Sequence, residues 1–164
     1  MLFRSLVEHA CLQVIERLRP VAGPRLLLDS DAHRGLEAIQ ALGDAERFEQ
    51  CLLNLVENAL KYSPPASPVR LSWRLRNTLV VVHVRDQGPG VPEEDRPRLL
   101  ERFQRGRNTG DIPGSGIGLA VVDTLMQAMG GSVEIADAPG GGADFQLLLP
   151  QAAPGPEGIK APAE

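Results

Sequence analysis

Two asparagines and a lysine recur at helical spacing in the first half of the sequence. At about 100° per residue, Asn54, Asn58 and Lys61 share one stripe of a predicted helix over residues 44–62. Asparagine is a poor helix former, so two of them one turn apart suggest a use beyond solvation. An amide oxygen suits Mg²⁺, a lysine suits phosphate, and the ring of Tyr62 could cover a flat base. A solvated polar face is the alternative interpretation.

A carboxylate and two glycines follow a predicted buried strand, in the peptide Asp86-Gln87-Gly88-Pro89-Gly90. Its composition alone favours a simple turn. A carboxylate held at a strand end can also accept a hydrogen bond from an exocyclic amine, such as N6 of adenine. Gly88 and Gly90 would then let a planar ligand approach the backbone.

A glycine-rich run precedes the third predicted helix and reads Gly114-Ser115-Gly116-Ile117-Gly118-Leu119. Such a helix start exposes N–H groups at the positive end of the helix dipole, an arrangement that binds phosphate. It is not the dinucleotide-binding fingerprint, because it follows a long loop and Leu119 replaces the third glycine. The sequence also lacks a Walker A motif and the His-Arg-Asp and Asp-Phe-Gly motifs of protein kinases.

Alternating helical and extended patterns must position these residues. Apolar residues at four-residue spacing predict a first helix over residues 2–18, which Pro20 should end. Strict alternation in residues 69–76 and the valines of residues 79–84 predict a hairpin that turns at Asn77-Thr78. The other predicted elements are extended segments at 25–29 and 38–42, a loop over 87–113 with one short helical piece, and a helix over 118–129 ended by Gly130-Gly131. Two last strands, at 132–136 and 143–149, are joined by a turn that contains Pro139-Gly140-Gly141-Gly142.

Composition limits the class of protein. The 164 residues are 43% hydrophobic and 23% charged, as expected for one globular domain and not for a disordered or fibrous chain. The net charge of −4 gives no general attraction to nucleic acid or to an anionic membrane. No apolar run approaches the ~20 residues of a membrane span. Cys11 and Cys51 lie too far apart for a zinc motif, and a reducing compartment is expected.

The order of the three motifs resembles the Bergerat ATP-binding domain, which is shared by gyrase, chaperone ATPases, mismatch-repair ATPases and histidine kinases. The details are similar to the histidine-kinase branch. Residues 48–63 match its N box, and Glu101-Arg102-Phe103-Gln104-Arg105 matches its F box. The resemblance covers roughly residues 25–149. It implies an α/β two-layer sandwich of the Bergerat fold, with one mixed, mostly antiparallel sheet and helices on one face.

The resemblance also implies a role for each matching residue. Asn58 would ligate Mg²⁺ and Asn54 would line the same pocket. Lys61 would contact phosphate, Tyr62 would pack on adenine and Asp86 would read the adenine amine. The implied base pocket is shaped by Gly88 and Gly90. Residues 87–115 would form the ATP lid, with Arg105 as its cation near the γ-phosphate and Arg102 and Arg107 as weaker candidates. Gly114, Ser115, Gly116, Gly118 and Leu119 would hold the phosphates.

Position 54 separates the branches of this superfamily. Hydrolytic members typically carry a glutamate there that activates water, whereas Asn54 cannot accept that proton. Transfer to a neutral imidazole needs no strong base, because positioning and charge neutralisation lower the barrier. The predicted activity is therefore that of a protein-histidine kinase.

No histidine of this chain has the surroundings of the family's phosphoacceptor, so we expect His9, His33 and His83 to be structural or solvated. The expected domain is the catalytic half of a two-component sensor kinase over residues 1–150, followed by a disordered tail over 151–164. It would bind Mg²⁺-ATP and phosphorylate a histidine on a dimerisation domain absent from this chain, from which a response regulator would receive the phosphoryl group.

The expected location is the cytoplasm, as the cytoplasmic part of an inner-membrane sensor, without direct contact of this domain with membrane or nucleic acid. Two alternatives stay open. One is a hydrolytic ATPase of the same superfamily, and the other is a non-catalytic nucleotide-binding module.

Overall fold

A five-stranded sheet forms one layer of the molecule, with the strand order β2-β4-β5-β7-β6. The computed structural model describes residues 3–29, 39–101 and 118–153. The β2–β4 pair is parallel and the other three pairs are antiparallel, so the sheet is mixed and mostly antiparallel, as predicted. The strands are β2 (Leu26–Leu28), β4 (Val69–Arg76), β5 (Leu79–Arg85), β6 (Ser132–Asp137) and β7 (Ala143–Pro150).

Helices form the second layer and pack against one face of this sheet. They are α1 (Val7–Ala22), α2 (Ala45–Tyr62) and α4 (Gly118–Ala128), while a single-turn helix, α3 (Arg96–Leu99), follows β5 along the chain. Phe48, Trp73 and Met126 are among the largest fully buried side chains of the core between the layers. The predicted α/β two-layer sandwich is therefore confirmed.

The β4–β5 hairpin forms as predicted. Arg76 pairs with Leu79, and Asn77 in the turn adopts a positive φ of 56°. Asparagine tolerates this left-handed conformation better than most residues, which explains its place in a two-residue hairpin loop. Strand β5 is central, and Val80, Val82 and Val84 all lie in the core. The run of valines is thus explained by pairing on both edges.

The N-terminus differs from the predicted helix over residues 2–18. Strand β1 (Phe3–Leu6) pairs antiparallel with β3 (Gln40–Gly43) in a separate two-stranded sheet, and helix α1 begins only at Val7. The backbone of β1 finds its partner far along the chain, which a local apolar period cannot reveal. Helix α1 also continues past Pro20 to Ala22, although a proline there cannot donate the backbone hydrogen bond of that turn. Ala22 is buried, so packing of the last turn favours the longer helix.

Polar side chains occupy the face of the sheet opposite the helices. On the two central strands, His83 pairs with Gln146 and Arg85 pairs with Asp144. His83, Asp144 and Gln146 are nevertheless buried. None of the helices in the described ranges combines the length and hydropathy that crossing a bilayer requires. Cys11 and Cys51 are both free and buried, and burial raises the pKa of the Cys51 thiol to about 12.

Candidate functional site

Helix α2 carries the predicted polar stripe because its two sides differ in burial. Asp44 caps the helix by accepting a hydrogen bond from the N–H of Arg47 at 3.1 Å. The core side consists of Phe48, Cys51, Leu52, Leu55, Val56 and Ala59. On the other side Asn54 and Asn58 are half-buried and Lys61 is exposed. The predicted division of the helix into an apolar face and an amide-lysine stripe is therefore present in the structure.

Asn58 lies beside the N-terminal end of α4. A Cβ placed on Gly118, the first residue of α4, would lie 3.9 Å from Nδ2 of Asn58. Within the described ranges the Asn58 amide makes no hydrogen bond of its own. The first N–H groups of a helix have no partner inside the helix and carry its positive dipole end. The Asn58 amide, which has no hydrogen bond to the described residues, thus lies next to the N-terminus of α4, where an anion would be stabilised. Leu119 is half-buried and packs against the core.

Asp86 holds a buried carboxylate at the end of β5. Its own N–H donates to the carbonyl of Ala143 at 3.0 Å, so the β5–β7 ladder continues for one more residue. Its Oδ1 accepts from the N–H of Gly88 at 2.8 Å and from the N–H of Ala143 at 3.1 Å. Across the described part of the chain, no hydrogen bond reaches its Oδ2. One oxygen fixes the side chain, and the other is left for a ligand.

The electrostatics of Asp86 follow from this burial. Desolvation raises the pKa of its carboxyl above the ordinary value, and the nearby charge of Asp144 raises it further. The N–H groups of Ala143 and Gly88 only partly offset this rise. A buried carboxylate with an open oxygen is costly, and such groups are common at binding sites, so the role of Asp86 as a ligand-binding residue stays a prediction.

Tyr62 and Gly88 bring the end of α2 next to Asp86. A Cβ on Gly88 would lie 2.9 Å from the carbonyl oxygen of Tyr62 and 3.2 Å from Oδ1 of Asp86, so only glycine fits here. Tyr62 is half-buried, and the ammonium of Lys61 lies 5.5 Å from the centre of its ring. The motif residues that are far apart in sequence therefore meet at one corner of the sandwich.

Gly142 completes this corner, and motif reading did not identify it. Its φ is 93°, and a Cβ there would collide with the backbone carbonyl of Asp86. Gly90, with φ of 73°, lies against the Gly142 carbonyl, which is 3.5 Å from the position of a Cβ on Gly90. In the sequence, Gly142 stands out only as part of the run Gly140-Gly141-Gly142, whose composition indicates a turn between strands and not a contact with Asp86.

Asn54 lies on another part of the same helix surface. It lines an open groove of about 590 Å³ between α1 and α2, together with Arg17, Glu46, Glu49, Gln50 and Leu53. Arg17 and Glu49 approach to 4.0 Å at this groove. Asn54 therefore lies one helical turn from Asn58, at the edge of the groove, and its place in the same pocket stays a prediction.

Several predicted residues fall outside the described ranges. They are Arg105, the weaker candidates Arg102 and Arg107, the phosphate-loop residues Gly114, Ser115 and Gly116, most of the F box, His33, and the tail from residue 154 onward. The first part of the predicted lid is described. There Arg96 donates from Nε to the carbonyl of Val91 at 3.1 Å and from Nη2 to Asp137 at 2.8 Å. These bonds fix the start of the segment to strand β6.

The two described histidines occupy different environments. His9 is exposed on α1, whereas His83 is buried and its Nδ1 lies 3.0 Å from Oδ2 of Asp144. Asp144 also accepts from Arg85 and Gln146, each at 3.1 Å. Burial alone would raise the pKa of the Asp144 carboxyl, but the hydrogen bonds from His83 and Arg85 and the charge of Arg85 hold it below its usual value. The expectation that His83 is structural agrees with this geometry.

Comparison with known proteins identifies the family. A family model described as "Histidine kinase-, DNA gyrase B-, and HSP90-like ATPase" matches residues 43–153. The signal transduction histidine-protein kinase/phosphatase MprB of Mycolicibacterium paratuberculosis is 40% identical over 129 residues. These are 76% of this chain and 25% of that protein, so the chain spans about a quarter of that relative's length.

Solved structures give the same result. A mycobacterial sensor histidine kinase MprB has a TM-score of 0.73 at 26% identity, covering 92% of this chain and 98% of the other. Full-length ShkA in complex with AMPPNP has a TM-score of 0.74 at 31% identity, covering 93% of this chain and 32% of the other. The family model matches more than half of the sequence on this fold. The chain therefore belongs to the family of histidine kinase-, DNA gyrase B- and HSP90-like ATPases, as a catalytic ATP-binding domain of the sensor histidine kinase type.

Proposed function

We propose that this domain binds Mg²⁺-ATP at the corner between α2, α4 and the end of β5, and transfers the γ-phosphoryl group to a histidine of a partner domain. Two observations together support the proposal. The Asn58 amide lies at the N-terminus of α4 without a hydrogen bond to the described residues, and Asp86 has one oxygen without a hydrogen bond to them. A cation-binding oxygen and a base-reading carboxylate at one corner suit a nucleotide.

Adenine recognition is assigned to Asp86 and its neighbours. The open Oδ2 would accept a hydrogen bond from the N6 amine, while Oδ1 stays fixed by Gly88 and Ala143. Gly88 and Gly90 leave space at the backbone, and the ring of Tyr62 supplies an apolar surface for the base. A pre-positioned acceptor loses little entropy on binding, which favours adenine over purines that lack the N6 amine.

Triphosphate binding is assigned to the polar stripe of α2 and to the start of α4. The Asn58 oxygen would ligate Mg²⁺, with Asn54 nearby, and Lys61 would neutralise phosphate charge. Gly118 and Leu119 begin a helix whose N–H groups suit phosphate oxygens. The donors fit the ion, because amide oxygens and phosphates are its preferred ligands, and bound Mg²⁺ would screen and align the triphosphate.

The phosphate loop and the lid complete the proposed site. Gly114, Ser115 and Gly116 would extend the row of N–H donors that Gly118 begins. Arg105 would approach the γ-phosphate from the lid over residues 87–115, where a guanidinium stabilises the charge that develops during transfer. The anchoring of Val91 and Asp137 by Arg96 supports a fixed start for this lid.

The chemistry at position 54 favours phosphoryl transfer to histidine over hydrolysis. Asn54 cannot remove a proton from water, whereas an imidazole nitrogen attacks with its own lone pair. His83 is buried against Asp144, so it is not offered to the nucleotide. None of the three histidines has the sequence surroundings of the family's phosphoacceptor. The acceptor would therefore come from a dimerisation domain of the same kinase, and a response regulator would receive the group next. A domain that consumes ATP in this way would work in the cytoplasm, as part of a membrane-bound sensor.

The test is calorimetric titration of this chain with AMPPNP, with and without Mg²⁺, followed by ATP together with the acceptor domain of a sensor histidine kinase. We expect Mg²⁺-dependent binding and acid-labile, base-stable phosphate on the acceptor domain. Asn58→Ala should remove the Mg²⁺ dependence, whereas Asn77→Gly in the distant hairpin turn should keep it. Steady phosphate release without any acceptor would favour the hydrolytic ATPase, and absence of AMPPNP binding would favour a non-catalytic module.

A further inference from the structure

Arg25 forms a four-point clamp on the chain that leaves helix α2. This residue directly precedes β2, and its guanidinium reaches across to residues 60–67. Its Nε donates to the carbonyl of Ser67 at 3.0 Å. The two N–H groups of its Nη2 are shared among three acceptors, namely the carbonyls of Leu60 at 3.3 Å and Pro64 at 3.1 Å and Oγ of Ser63 at 3.1 Å. One half-buried side chain therefore fixes four acceptors that follow one another along the chain.

The clamp satisfies the C-terminal end of α2. The last carbonyls of a helix lack intrahelical partners, and a cation there interacts favourably with the helix dipole. Arg25 supplies both a hydrogen-bond donor and a positive charge at the carbonyl of Leu60. The hydroxyl and the N–H of Ser63 both donate to the carbonyl of Ala59. Within the segment itself, Ser67 donates to Pro64 from its hydroxyl at 2.7 Å. The segment that follows α2 is thus held by hydrogen bonds within residues 59–67 and by hydrogen bonds from Arg25.

This helix end carries Lys61 and Tyr62, two of the residues proposed to bind the nucleotide, and it contacts Gly88, which holds Asp86. Lys61 and Tyr62 lie between the clamped carbonyl of Leu60 and the clamped hydroxyl of Ser63. The carbonyl of Tyr62 abuts Gly88, where a Cβ would lie only 2.9 Å away, and the N–H of Gly88 holds Asp86. A shift of the helix end would therefore move the aromatic ring and disturb the carboxylate together.

We propose that Arg25 is a positioning residue for nucleotide binding, acting through the C-terminal turn of α2 without touching the ligand. The inference rests on the proposed function, since it concerns how that site keeps its geometry. A lysine cannot replace Arg25, because a point charge lacks the planar fork that reaches several carbonyls at once.

The test compares Arg25→Lys and Arg25→Ala with Arg76→Ala, measuring AMPPNP affinity well below the melting temperature of each variant. Arg76 is a suitable control, since its guanidinium grips Glu134 on the opposite face of the sheet. We expect both Arg25 variants to weaken binding by about three- to thirtyfold and Arg76→Ala to bind normally. If Arg25→Ala does not fold, Arg25→Lys retains the charge and carries the test.

A spectroscopic readout separates positioning from simple loss of stability. Tyr62 is the only tyrosine of the chain, so 3-fluorotyrosine labelling gives one ¹⁹F resonance from the site. We expect this resonance to move in both Arg25 variants and to stay in place in Arg76→Ala. Unchanged affinity and an unchanged resonance in the Arg25 variants would overturn the inference alone. Failure of the unsubstituted chain to bind AMPPNP would overturn the proposed function and this inference with it.

Discussion

Two buried aspartates, Asp86 and Asp144, lie near each other where β5 ends and β7 begins. They differ in how the surrounding groups compensate the buried charge. Asp144 points away from the helices and accepts hydrogen bonds from His83, Arg85 and Gln146. Burial alone would raise the pKa of its carboxyl, but His83 and Arg85 hold it below the ordinary value. Asp86 points toward the helices, and one of its oxygens is bound only by backbone N–H groups. Its pKa is raised, chiefly by burial.

From this difference we infer that Asp144 stabilises the fold, whereas Asp86 is proposed to bind a ligand. Asp144 has charged and polar partners on two strands, so its charge is already compensated. Asp86 is desolvated without a cation among its hydrogen-bond partners, and a buried group of this kind stores free energy that a ligand can recover. Removing each charge should therefore affect folding in one case and binding in the other.

The largest effect should come from Asp144→Asn. This change leaves His83 and Arg85 facing a neutral amide and should lower the free energy of unfolding at pH 7 by about 3 kcal/mol. Urea denaturation followed by the fluorescence of Trp73, the only tryptophan, measures it. AMPPNP affinity measured under fully folding conditions should stay close to that of the unsubstituted chain. A variant of unchanged stability would show that the two aspartates are equivalent.

Asp86→Asn should weaken nucleotide binding by about 2 kcal/mol, because the NH2 group, which is a donor, would take the place of the open oxygen and could not accept from the adenine amine. The amide oxygen can still accept from Gly88 and Ala143, and the buried charge is gone. The melting temperature at neutral pH should therefore stay the same or rise. Calorimetric titration and thermal denaturation of the same sample report both quantities, and a loss of stability as large as that of Asp144→Asn would contradict the comparison.

Acidification should separate the two carboxylates. Because the folded pKa of Asp144 is depressed, its stabilisation is present above the unfolded pKa and is lost as the pH falls through the folded one, that is, below about pH 4. The folded pKa of Asp86 is raised, so its carboxylate is protonated at a higher pH than that of Asp144. Protonation removes the destabilising buried charge, and it also removes the carboxylate that would accept from adenine.

Nucleotide affinity should accordingly fall on acidification before folding stability does. Titration of AMPPNP binding and of urea midpoints over the same pH series tests this order. In Asp144→Asn the stability difference from the unsubstituted chain should shrink below about pH 4. Loss of binding and loss of stability at one common pH would argue against two separate groups.

The smallest effect should come from Arg76→Ala, which removes an exposed ion pair on the face of the sheet that also carries Asp144. Arg76 and Glu134 are joined by bonds of 3.1–3.3 Å, yet both side chains are substantially exposed. Such pairs contribute under about 1 kcal/mol. A urea midpoint that shifts as far as that of Asp144→Asn would mean that burial is not what distinguishes Asp144.

The two aspartates also show what a sequence can reveal. Asp86 could be predicted because its strand end and its two glycines form a compact local motif. Asp144 could not, since it lies in an alternating strand whose pattern indicates only an outward side chain. Its partners His83 and Arg85 are about 60 positions away, and no local spacing connects them to it.

Long-range contacts explain the other differences as well. Strand β1 was predicted as helix because Leu2 and Leu6 fit a helical period, and only pairing with β3 reveals its extended backbone. Gly142 was predicted only as part of a turn, because its collision partner is the backbone of Asp86 in a distant loop. Helix α2 and the β4–β5 hairpin were predicted correctly, since their patterns are complete within each segment.

The most direct test of the central claim compares ATP with purine riboside triphosphate, which lacks the N6 amine, in the unsubstituted chain and in Asp86→Asn. We expect the unsubstituted chain to prefer ATP by about tenfold or more in Kd and the variant to lose most of this preference. An equal preference for ATP in both proteins would show that Asp86 does not read the base.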